Sequence, residues 1–91
     1  MAELSLTLQK QIAEMLIGIE PAEGMETLRT DGTQAIKSMI GCSEQEAGAI
    51  LKHFEDRGFI EPQVTTRGGT LDQRALIPQV RFKWGRAGIS T

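Results

Sequence analysis

The stretch from Thr33 to Ile60, TQAIKSMIGCSEQEAGAILKHFEDRGFI, constrains the chain more than any other. Ala35, Ile36, Met39 and Ile40 recur at helical spacing and make one apolar stripe. Gly41 stops that helix, as glycine does at a helix C-terminus. Ser43 opens the next segment, and Glu46 three residues on completes a capping box. In that motif the serine accepts from one orphan amide, and the glutamate reaches back to another. Ala47, Ile50, Leu51 and Phe54 form the stripe of a second, longer helix, from about Glu44 to Arg57. Arg57 and Gly58 end it, and Phe59-Ile60 begins an extended segment.

Before this stretch, a helix is expected from Ser5 or Thr7 to about Ile17. Leu8, Ile12, Met15, Leu16 and Ile19 keep the 3.6-residue period, with Gln9, Lys10, Ala13 and Glu14 turned to water. Gly18 and Pro21 are break signals. Residues 20–32, EPAEGMETLRTDG, admit two readings. Pro21 can open a short helix through Leu28, or Met25–Arg29 can be a short strand. Asp31, with Gln34 three residues later, is the favoured cap of a helix over about Gly32–Ile40.

After Ile60 the pattern changes to period two. Val64, Thr65 and Thr66 are strand formers. RGGTLDQR, residues 67–74, has the paired glycines of a loop. Ala75 to Trp84 reads as a second strand, with Val80, Phe82 and Trp84 alternating against Arg81 and Lys83. Pro62 and Pro78 each remove a ladder donor, which suits edges or the ends of pairing. Residues 1–4 and the tail GRAGIST, above all 86–91, are expected to be loose.

Helix, short turn, helix and then RGFI feeding a hairpin resembles the helix-turn-helix of small bacterial winged-helix transcription regulators. The run Ile50, Leu51, Phe54, Gly58, Phe59, Ile60 carries the likeness. The resemblance implies one mainly helical α+β domain over residues 1–91, a three-helix bundle with a C-terminal β-hairpin wing. It also implies double-stranded DNA as partner, with the second helix of the motif in the major groove.

On a helical wheel, the face opposite the core stripe is Gln45, Ala49, Lys52 and Asp56, with Gly48 and His53 at its edges. Gln45 can bond adenine, Ala49 can meet a thymine methyl, and Lys52 can reach guanine or phosphate. Gly48 permits close approach, or packs against another helix. In the wing, Arg67 and Arg74 flank the loop, and Arg81 and Lys83 line one strand face, where they can hold phosphates. Charge supports this polarity. Residues 1–56 carry four bases against ten acids, −6, while residues 57–91 carry six against two, +4. The acids Glu44, Glu46 and Asp56 favour a rival reading, a winged-helix module that docks on a protein.

Other chemistry is poorly supplied. One cysteine, Cys42, and one histidine, His53, exclude an internal disulfide and a cysteine-built zinc site. No nucleophile or acid/base constellation appears, so no enzyme, cofactor or catalytic residue is expected. No apolar run approaches the ~20 residues of a membrane span, and no signal peptide is visible, so the cytoplasm is the expected compartment. A weak homodimer is expected through helix 1 or the Trp84 region.

Overall fold

The computed structural model describes residues 4–67 and 77–88. Three helices come first, α1 (Leu6–Ile17), α2 (Met25–Ile40) and α3 (Glu44–Asp56). Two strands follow, β1 (Ile60–Arg67) and β2 (Ile77–Trp84), paired antiparallel with Ile60 opposite Trp84 and Arg67 opposite Ile77. This is the mainly helical α+β, winged-helix-like layout expected above.

Local chemistry accounts for most boundaries. Ser5 caps α1 by accepting from the Leu8 amide at 3.1 Å. Gly41 closes α2 in the left-handed region, φ 69°, which glycine enters without a steric penalty. Ser43 caps α3 by accepting from the Glu46 amide at 3.1 Å. The second half of the capping box differs from expectation: the Glu46 carboxylate accepts from the Ser43 hydroxyl at 3.2 Å. At the far end, the Phe59 amide donates to Phe54 and the Gly58 amide to Glu55. These are the two bonds of a Schellman closure. The hydrophobic contact that accompanies it is the edge-to-face pair of Phe54 and Phe59, with centroids 5.5 Å apart.

The second helix corrects the sequence reading. It starts at Met25, well before Gly32, and Gly24 is its N-cap without a side-chain bond. Asp31 and Gly32 therefore lie inside it, and neither a strand over Met25–Arg29 nor a helix from Pro21 forms. Leu28, Gly32 and Ile36 are buried at four-residue spacing, so the stripe runs through the glycine. A methyl group on Gly32 would lie 3.2 Å from Leu16 Cδ2, 3.3 Å from Phe82 Cε2 and 3.4 Å from Leu51 Cδ2. Three elements converge on that point, and only a residue without a side chain lets α2 pass between them at ordinary contact distance. A strand-like contact does exist earlier. Ala22 and Val80 exchange backbone bonds of 2.9 and 2.8 Å, an isolated bridge tying the α1–α2 connection to β2.

The core is one cluster drawn from all five elements. Ile12, Leu16, Leu28, Ile36, Phe54, Ile60 and Phe82 are its largest fully buried members. Ala13, expected to face water, is fully buried beside Ile12 and Leu16. Met39, expected in the α2 stripe, is exposed, as is Trp84. The tail also departs from expectation over residues 85–88. The Gly85 amide donates to the Phe59 carbonyl, and the Ala87 and Gly88 amides donate to that of Gly58, fastening this segment to the end of α3.

Candidate nucleic-acid interface

The outward face of α3 is set by the inward one. Burying Ala47, Ile50, Leu51 and Phe54 forces Gln45, Ala49, Lys52, His53 and Asp56 to the surface, and all five are exposed. Gly48 is half-buried beside them. A methyl group added there would meet nothing within 4 Å. Packing against α1 or α2 therefore does not explain that glycine. It opens a cleft instead. A cavity of about 330 Å³ between α2 and α3 is lined by Gly48, Lys52, Arg29 and Thr33. A second hollow, sharing Arg29 and Thr33, continues toward the start of α2 past Thr30 and Glu44.

Arg29 and Thr33 were not among the residues singled out in the sequence. Arg29 joins the α3 face because α2 extends seven residues further than its cap signals suggest, while Thr33 already lay in the expected helix. The signal that could have found Arg29 is Leu28, one period before Gly32 on the buried stripe.

The electrostatics of the face are mixed. Arg29 Nε lies 3.5 Å from Glu55 Oε1, an ion pair too long to be a hydrogen bond, and that carboxylate oxygen is buried without a hydrogen-bond donor. Gln34 donates to Glu44 across the α2–α3 turn at 3.1 Å. Glu44, Glu46 and Asp56 are exposed on the same helix as Lys52.

In the hairpin, Val80 and Phe82 turn to the core and Arg81 is exposed on the other face. Lys83 belongs to that face too, but its ammonium lies 3.1 Å from Glu61 on the neighbouring strand. The basic strand face is thus partly neutralised. Arg67 is placed at the end of β1, opposite Ile77. Arg74 lies outside the described residues, as does most of the expected wing loop. His53 stands exposed with its ring 6.2 Å from Phe59 and 6.4 Å from Phe54. Cys42 is half-buried in the α2–α3 turn, as its size and place suggest. Among the described residues no three His, Cys, Asp or Glu side chains gather as a metal site. None of the described helices is long and apolar enough to cross a membrane.

No family model, curated protein or solved structure matches the chain.

Proposed function

We propose that this chain binds double-stranded DNA, with α3 in the major groove and the hairpin along the backbone, as a small winged-helix regulator or accessory factor without catalytic chemistry or cofactor. The observation that carries the reading is the exposed α3 face. Gln45, Ala49 and Lys52 stand exposed on it, and Gly48 lies inside the helix where packing does not ask for glycine. A helix pays about 1 kcal/mol for such a residue relative to alanine, and close approach to a groove wall is what the bare backbone provides. In this reading Gln45, Ala49 and Lys52 meet base edges, and His53 lies at the rim. Arg67, Arg74, Arg81 and Lys83 hold phosphates and so position the protein without reading sequence.

A second reading is docking on an acceptor protein in the cell interior. The exposed carboxylates of Glu44, Glu46 and Asp56, and the neutralisation of Lys83 by Glu61, favour it. Titration with mixed-sequence duplex DNA over a range of salt separates the two. A duplex binder using several cations loses affinity steeply as salt rises. Absence of duplex binding even at low salt overturns the DNA reading and leaves the docking one.

A further inference from the structure

We propose that the free edge of β1 pairs with the same edge of a second copy, joining two hairpins into one four-stranded sheet centred on Val64. This interface is independent of what α3 binds. Because Val80 spends both its backbone groups on Ala22, it has none for β1. In an antiparallel ladder, hydrogen-bonded and non-bonded pairs alternate. The pairs Pro62–Phe82, Val64–Val80 and Thr66–Pro78 are then all non-bonded, and the backbone groups of Pro62, Val64 and Thr66 point away from β2. Among the described residues no strand pairs with that edge. The Val64 side chain is 68% exposed at its middle.

The sequence selects one register for a symmetric pair. The two-fold axis can fall on an outward-pointing residue or on the residue between two of them, and within β1 only a centre on Val64 sets opposite charges against each other. Centring on Pro62 loses both central bonds, because proline has no N–H to give. Centring on Thr66 places Arg67 opposite Thr65 and gives it no charged partner. Centring on Val64 lets each Val64 amide donate to the other copy's Val64 carbonyl, and each Thr66 amide donate to the other copy's Pro62 carbonyl. Glu61 of each copy then stands opposite Arg67 of the other, an opposite-charge cross-strand pair made twice by the symmetry. Pro62, which blunts the edge against other partners, costs this register no central bond. The proposal places the expected homodimer contact on the β1 edge, away from helix 1 and Trp84.

Sedimentation equilibrium of the whole chain without DNA tests the interface. A monomer–dimer equilibrium is expected. Val64→Lys, at a side chain too exposed to matter for folding, sets like charges across the axis and shifts the population to monomer. Glu61→Arg and Arg67→Glu each weaken the dimer, and the double exchange restores it. In a Cys42→Ser background, Val64→Cys forms a disulfide-linked dimer on mild oxidation. Hydrogen-bonded antiparallel partners sit about 5.5 Å apart at Cα, within the roughly 4.4–6.8 Å span of a disulfide. Gln63→Cys, which faces Thr65 and not itself, links far more slowly. A monomer at every concentration overturns the proposal. So does a dimer indifferent to Val64→Lys, or equal linking through Gln63→Cys and Val64→Cys.

Discussion

Gly32 is the residue on which the packing turns. Its hydrogen leaves room for Leu16, Leu51 and Phe82 to close on α2 from three sides. Gly32→Val should therefore overpack the junction and destabilise the fold by about 1–3 kcal/mol, despite valine's better helix propensity. Thermal melting checks this; an unchanged melting temperature would mean that the helices can part without cost. Phe54 is the complementary case, a large ring with no exposure whose edge-to-face partner seals the end of α3. Phe54→Ala should cost roughly 3–5 kcal/mol, much of the margin of a small domain. Urea unfolding of the variant should show the midpoint collapse toward zero denaturant. These two residues had different visibility in the sequence. Phe54 announced itself by spacing and size. Gly32 read as the start of a helix, because glycine in mid-helix is disfavoured and Asp31 beside it imitates a cap. The long-range contacts that require it are not written in neighbouring residues.

Among elements, α3 was the most legible, since its serine cap, its stripe and the Gly58 closure are all local chemistry. The start of α2 was not, because what decides it is burial of Leu28 against elements distant in sequence, while its end at Ile40 and Gly41 was read from the glycine. The two strands of the hairpin followed from alternation but their register did not, and the bridge from Ala22 to Val80 had no signal at all, being two backbone contacts. Of the candidate face, the five exposed positions on α3 were legible from the wheel, whereas Arg29 needed the true start of α2. Gly48 lets element and function be separated by experiment. Gly48→Ala should raise stability by about 1 kcal/mol, because propensity improves and the methyl meets no neighbour. The same change should weaken duplex binding. A variant that is stabilised and binds as before would show that the cleft beneath Gly48 has no part in recognition.

For the whole molecule, the DNA reading predicts two kinds of loss. Arg81→Ala should weaken binding to all duplexes alike and lower the salt slope by about one unit, because one fewer counterion is released. Lys52→Ala or Gln45→Ala should cost about 1–3 kcal/mol on a preferred site and much less on random DNA. Filter binding or fluorescence anisotropy at several salt concentrations distinguishes the patterns. If all three variants bind like the parent, groove docking is wrong. The contribution of β2 to the core bears on a different stage of the protein's life. Phe82 fills the space between the first, second and third helices, and Val80 anchors the connection that follows the first. During synthesis, α1 to α3 leave the ribosome before either residue does. Until β2 emerges, the junction around Gly32 stands open to water, and the nascent chain carries an apolar surface without its lid. Of the described elements β2 is the last to be made, so the core over α1 to α3 closes only once Val80 and Phe82 are in place.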